Sequence, residues 1–311
     1  MTNPNQLKQQ VPHPEPGYPF DIFHIAQSVP AGNPILHLHW HDDWEIIRFL
    51  RGRAVFHIGS ETIRPEPGDL LFVNQGRIHT GFAEDDEPVA YDALVFHSSL
   101  VGSSLADAYH TEITAPYMSG RSLFPSRLTP RDEGYARIVS HVDRLVEEYA
   151  AVCKGFQLAI RTILQLLLVD LTRHNDRAGL RAHDDSFAAE LTARFKALIS
   201  HVERHYAEKI TVQQAAAIVN LSDYHFCRTF KKMTGKTFID YVNLHRVNAA
   251  EQLLIETEEP VTEIAFRVGF GSVNYFSQLF RHYKRVSPSQ CRKAKRLGQA
   301  SAAGQVSFRE I

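Results

Sequence analysis

The 311-residue sequence is poor in the residues that would staple it together or anchor it elsewhere. Its three cysteines, Cys153, Cys227 and Cys291, are far apart and odd in number. That excludes a disulfide framework and a close thiolate pair for a metal, and makes a reducing cytoplasm the expected compartment. The polar, proline-bearing opening MTNPNQLKQQVPHPEP lacks the apolar run of a signal peptide. The strongest apolar stretch, residues 160–171, is broken by Arg161 and Gln165 and is too short to cross a bilayer, so no membrane partner is expected. No serine stands in a nucleophile elbow, and no glycine-rich phosphate loop accompanies a lysine. No catalytic residues are therefore expected.

Net charge is also scarce, at −1, but the total hides an asymmetry. Residues 1–186 carry 16 basic and 24 acidic side chains, whereas residues 187–311 carry 18 basic and 11 acidic. An acidic half joined to a basic half implies two tasks, with the basic half suited to a polyanion. From residue 20 to 97, short apolar segments alternate with Gly, Pro and acidic turns, the pattern of a small antiparallel barrel or sandwich. Helical spacing follows over 130–149 and 155–175. The second of these helices is apolar around much of its circumference, through Ile160, Ile163, Leu164, Leu167, Leu168 and Leu171. Part of that surface is expected to form a homodimer contact. The spacing divides the chain into a sensing domain over 1–175, a polar linker at 176–186, a helical domain over 187–298 and a flexible tail at 299–311.

The helical half contains an internal repeat. A shift of 50 residues aligns Ala215 with Ala265, Ser222 with Ser272, Phe226 with Phe276 and Phe230 with Phe280. Each copy reads as a helix, a short turn, an N-capping serine and a second helix with phenylalanines at i and i+4. This is the pattern of two helix-turn-helix units. Packing through the phenylalanines leaves outward arcs: Asp223, Tyr224, Cys227, Arg228 and Lys231 in the first copy, and Val273, Asn274, Ser277, Gln278 and Arg281 in the second. Arg pairs with guanine and Asn or Gln with adenine in the major groove, so Tyr224, Cys227, Arg228, Lys231, Asn274, Ser277, Gln278 and Arg281 are the expected DNA-binding residues. Lys232, Lys236, Arg246, Lys284, Arg285, Arg292 and Lys293 are available either to phosphates or to the domain's own packing.

The segments ITVQQAAAIVNLSDYHFCRTFKKMTGKTFIDYVNLHRVNAAEQLL and VTEIAFRVGFGSVNYFSQLFRHYKRVSPSQCR resemble the C-terminal domain of the arabinose-regulator (AraC/XylS) family, over about residues 196–293. The resemblance implies two helix-turn-helix subdomains joined by a long helix near 239–256, with both second helices entering the major groove. It matches Tyr224, Cys227 and Arg228, and Asn274, Ser277 and Gln278, to base-facing positions, and Arg246 to the family arginine of the joining helix. Arg285 stands where the family usually has glycine, and Cys291 where it usually has tyrosine. Both departures bear on the geometry of the final turn.

In the acidic half, HLHWHDDWEIIRFLRG places His39, His41 and Glu45 in phase along strands, and His79 follows in NQGRIHTG. Three imidazoles and a carboxylate suit Fe, Mn, Ni or Zn. His37, Trp40, Trp44 and Phe49 are placed to line or close a pocket. The same residues resemble the cupin pattern, with Ala83 where its second motif ends in asparagine. That resemblance implies a β-barrel of cupin-like jelly-roll type with flanking helices, ahead of the all-α domain. The candidate effector-binding residues are His37, His39, His41, Trp44, Glu45 and His79; the candidate metal ligands are His39, His41, Glu45 and His79, expected to serve an effector rather than a resident metal. No cofactor is expected beyond that transition metal. The expected function is a ligand-responsive, sequence-specific DNA-binding transcription regulator, an activator of a metabolic operon and not an enzyme. Promoter DNA, a small-molecule effector, a second copy of the chain and, by the resemblance, RNA polymerase are its partners. The alternative is a metal-dependent cupin enzyme carrying a DNA-binding tail.

Overall fold

The computed structural model describes Lys8 and residues 18–102, 109–178 and 186–296. Most of the polar opening segment, most of the linker (179–185) and the tail (299–311) lie outside the described residues. The chain divides into two compact units that part between Thr192 and Ala193.

Among the described residues the N-terminal unit carries nine strands: β1 Phe20–Gln27, β2 Pro34–His39, β3 Trp44–Arg51, β4 Ala54–Ile58, β5 Glu61–Ile63, β6 Leu70–Val73, β7 His79–Ala83, β8 Val89–Phe96 and β9 Arg127–Leu128. Its helices are a short α1, Ala115–Met118, then α2, Tyr135–Ala151, and α3, Phe156–Arg177. The expected cupin-like barrel does not form. The strands pair antiparallel into two separate open sheets, ordered β1-β8-β3-β6-β9 and β2-β7-β4-β5. Closure would need ladder hydrogen bonds between the edge strands of the two sheets. Side chains join the sheets instead: Ile47, Phe49, Leu71 and Tyr91 of the first pack with Ile35, Phe56, Ile58 and Ile63 of the second. The likeness to cupins therefore stops at the motif and does not reach the fold.

The first sheet is covered on its other face as well. Successive strand residues point to opposite sides, so Trp44, Ile46, Leu70, Phe72, Leu94 and Phe96 face a second core shared with α2 and α3. The six apolar residues of α3, part of whose surface is expected above to form a dimer contact, all belong to this core and are 0–1% exposed. The sheet and α2 consume the apolar circumference that the sequence displays. Leu158, 69% exposed, and Leu166, 45% exposed, remain on the outer side of α3.

The C-terminal unit is helical, from Ala193 within α4 (Ser186–His205) onward: α5 Val212–Ile218, α6 Asp223–Thr234, α7 Phe238–Glu256, α8 Val261–Arg267, α9 Val273–Lys284 and α10 Pro288–Arg296 follow. Phe195 of α4, Phe226 and Phe230 of α6, and Phe238 of α7 form one aromatic cluster with ring centroids 5.2–6.2 Å apart. Val247 and Leu254 of α7 pack with Ile264, Ala265, Phe270, Phe276 and Phe280 in the other copy. The long α7 thus contributes to both cores, as a joining helix must.

Candidate functional site

In both copies the second helix starts on its serine. Ser222 accepts a hydrogen bond from the His225 backbone N–H, and Ser272 from that of Tyr275. Each cap satisfies one of the N–H groups that a helix start leaves unpaired. Phe226, Phe230, Phe276 and Phe280 are fully buried, which turns the opposite arcs outward. Tyr224 is 70% exposed. Cys227, Arg228, Lys231, Asn274, Gln278 and Arg281 are also exposed, and Ser277 is half-buried. A groove beside α6 is lined by Tyr224, Cys227, Arg228, Lys231 and Thr237.

The repeat departs from a uniform 50-residue shift. The Val219 and Leu221 N–H groups donate to Ala215 and Ala216 carbonyls, and those of Val268 and Phe270 donate to Ile264 and Ala265. Ala265 therefore matches Ala216, not Ala215, and the first helices are related by 49 residues. Gly271 is the extra residue in the second turn. Gly269, at φ +94, makes that turn's close approach: a Cβ there would lie 2.5 Å from the Ala207 carbonyl oxygen.

Several of the cations left open by the sequence serve the unit's own packing. Arg246 donates from Nε to the Tyr206 carbonyl and from Nη2 to that of Glu208, each at 2.7 Å. Its guanidinium also lies over the Phe270 ring at 5.7 Å. Lys284 pairs with Glu251, and Arg292 donates to the Glu259 carbonyl. Arg228, Lys231 and Arg281 make no ion pair among the described residues. The final turn keeps its shape despite Arg285, which adopts the left-handed conformation at φ 61, as Gly235 does at φ 72 in the first copy.

The N-terminal unit gathers a second set of predicted residues. His39 and His79 are directly opposed partners of β2 and β7, with ring centroids 4.1 Å apart. Glu45 lies on β3 in phase with Ile47 and Phe49, so it faces the space between the sheets. One ligand atom from each of His39, His41, Glu45 and His79 lies within 4.8 Å of the others. Each imidazole is oriented by a carbonyl two residues away: His39 Nδ1 is 2.7 Å from His37 O, His41 Nδ1 is 3.0 Å from Asp43 O, and His79 Nδ1 is 2.9 Å from Arg77 O. A carbonyl only accepts, so each Nδ1 carries the hydrogen and Nε2 is the atom presented to the cluster.

Glu45 Oε2 is 3.2 Å from His41 Nε2 and 3.0 Å from His79 Nε2. The His79 atom is buried without the direction of a hydrogen bond. Burial, with His79 beside it, holds His39 well below the ordinary imidazole pKa. Burial also works against a charged His41, but its bond to the Glu45 carboxylate outweighs it and raises the pKa. Glu45 is lowered in spite of its burial, chiefly by His79 and His41. Hard and borderline divalent ions accept this donor set, so the residues fit a metal.

The other pocket candidates go elsewhere. Trp44 faces the helix side and packs edge-on against Phe96 and Phe124. Phe49 is a core residue, Trp40 is buried, and the His37 side chain is exposed while its carbonyl serves His39. The anchoring carbonyls of His37, Asp43 and Arg77 went unnoticed in the sequence, since backbone acceptors leave no signature there.

An N-terminal two-sheet unit holding a buried donor cluster, followed by two capped helix-turn-helix copies, defines a transcription regulator with a ligand-binding half and a DNA-binding half. Residues 33–191, about half the chain, match the AraC-like ligand binding domain, and residues 215–294 match a helix-turn-helix domain. The chain is 37% identical over 267 residues to the HTH-type transcriptional activator RhaS of Enterobacter sp. (strain 638), spanning 83% of this chain and 87% of that one. It is 28% identical over 265 residues to the HTH-type transcriptional regulator YdeC of Bacillus subtilis (strain 168), spanning 84% and 87%. A solved DNA-binding domain, that of the global transcriptional factor AdpA in complex with a target DNA, covers 34% of this chain and 96% of its own at 28% identity and TM-score 0.33. The chain belongs to the AraC family of transcription regulators. It is a ligand-responsive DNA-binding regulator rather than an enzyme. Among the described residues no helix is long and apolar enough to cross a membrane.

Proposed function

We propose that the chain activates transcription by reading promoter DNA with α6 and α9, under the control of a ligand taken by the N-terminal unit. The observation that carries this reading is the pair of outward arcs. Tyr224, Cys227, Arg228 and Lys231 project from one capped helix, and Asn274, Ser277, Gln278 and Arg281 from the other. Arg228, Asn274 and Gln278 have the donors for bidentate base pairing, while Lys231 and Arg281 suit phosphates. The ligand site is the cluster of His39, His41, Glu45 and His79, with Trp44 acting only through the packing behind β3.

Activation implies contact with RNA polymerase and a place near promoters of an operon whose product chemistry relates to the ligand. The chain works as a homodimer, which raises the local concentration of a second reading unit at paired sites. In the N-terminal unit the outer side of α3, with Leu158 and Leu166, offers apolar surface to that contact. The activator relatives support the direction of control. A reporter fused to a DNA region that the chain binds tests it. Transcription rises when the chain is supplied and stays at background with Arg228→Ala. A fall in transcription on supplying the chain makes it a repressor and overturns activation.

A further inference from the structure

Between the two sheets the packing is tight: Ile47, Phe49, Phe56 and Leu71 are fully buried. The cluster at His39, His41, Glu45 and His79 is the group of potential metal-holding residues found among the described residues. Its donor atoms lie within 4.8 Å of one another. Around a tetrahedral ion with bonds of about 2.0–2.2 Å, donors stand roughly 3.3–3.6 Å apart. A contraction of about 1.2–1.5 Å at the widest pair closes the set on a single ion. Each Nδ1 is engaged by a carbonyl, the outer support that metal-bound imidazoles need to keep Nε2 pointed inward. His79 Nε2 is buried with the Glu45 carboxylate 3.0 Å away but with no well-directed hydrogen bond.

We propose that the N-terminal unit takes a divalent transition-metal ion between its sheets, held by Nε2 of His39, His41 and His79 and by the Glu45 carboxylate. The inference rests on reading this unit as the ligand-binding half, and it names the ligand's class as an ion. The ion replaces the contact between His79 Nε2 and the Glu45 carboxylate, 3.0 Å apart, with two bonds to a shared cation. Its binding draws β2, β3 and β7 together, because the four donors come from those strands and from the turn that follows β2.

The test uses the full chain without a polyhistidine tag, stripped with a chelator and titrated with Zn(II) by calorimetry and with Co(II) by absorption. The expected result is one equivalent bound, with ligand-field bands for Co(II) that report nitrogen and oxygen donors. His79→Gln and His41→Gln lower the affinity by about tenfold or more, whereas His282→Gln, at an exposed position, leaves it unchanged. A wild-type chain that binds no stoichiometric ion overturns the proposal even if the variants fold poorly. So does binding that survives both variants. Sequence-specific DNA binding measured on the same samples separates the two readings. If it persists in a chain that takes no ion, the metal site fails and the regulator stands. If it is absent in a chain that takes one equivalent, the regulator fails and the metal site stands.

Discussion

Replacing Gly269 by alanine puts a methyl group where the backbone of Ala207 already sits. The new Cβ would lie 2.5 Å from the Ala207 carbonyl oxygen, 2.8 Å from its carbon and 2.9 Å from its Cα. None of these atoms can swing aside as a side-chain end can. The flanking carbonyls of Tyr206 and Glu208 are themselves held by Arg246, so the segment resists retreat. Two contributions add. A positive φ costs an alanine about 1–2 kcal/mol, and forcing a packed contact apart costs about 1–3 kcal/mol. The C-terminal unit should lose about 2–5 kcal/mol. With about 4–8 °C per kcal/mol for a domain near 100 residues, its melting transition falls by at least about 8 °C. Scanning calorimetry of the full chain resolves this, with Gly271→Ala as the control. Gly271 has open space around its Cβ position, and that variant should melt within about 2 °C of the parent. A shift of only a degree or two for Gly269→Ala would refute the claim that this turn depends on a missing side chain.

The same backbone argument runs in reverse at Arg285, whose φ of 61 is a conformation that glycine adopts freely. Arg285→Gly should stabilise the unit by up to about 1 kcal/mol in denaturant unfolding, and any loss contradicts it. Arg246→Ala removes two charge-assisted bonds and should cost about 2–3 kcal/mol of stability. The slope of DNA affinity against salt should stay unchanged, because the guanidinium is taken up by the Tyr206 and Glu208 carbonyls; a slope that drops by about one would return it to the DNA interface. Burial lowers the pKa of His245 to about 4. The unfolded chain then takes up a proton between about pH 6.5 and 4 that the folded chain refuses, so stability falls as pH falls through that window and is level above it. His245→Asn should flatten this acid limb in unfolding measured from pH 4 to 7, and an unaltered limb would assign it to other groups.

The outward polar arcs of α6 and α9 were legible because every signal for them is local. A serine cap, two phenylalanines at i and i+4 and the polar residues between them lie within one helix, and the structure turns those residues outward. The register of the preceding helix was not legible. Gly271 lengthens one turn by a residue, and the two adjacent alanines at 215 and 216 conceal the slip. Strand alternation placed His39, Glu45 and His79 in phase, but it could not say that β3 is buried on both faces. Trp44 therefore looked like a neighbour of the cluster when it belongs to the helix side. Whether a set of strands closes into a barrel depends on hydrogen bonds between distant segments, and motif spacing carries no trace of them. Part of the apolar girth of α3 looks like surplus surface for a partner because the sequence does not show how much of it the sheet and α2 cover.

Selection of bound duplexes from a random pool, carried out with the wild-type chain, Arg228→Ala and Gln278→Ala, tests the central claim most directly. Two reading helices in one chain should select a bipartite motif, its two segments separated by about one helical turn of roughly 10 bp. Arg228→Ala should erase preference within one segment and Gln278→Ala within the other, each worth about 1–3 kcal/mol at the affected base. A pool with no motif, or two variants that lose the same positions, would contradict the assignment of α6 and α9 as separate readers.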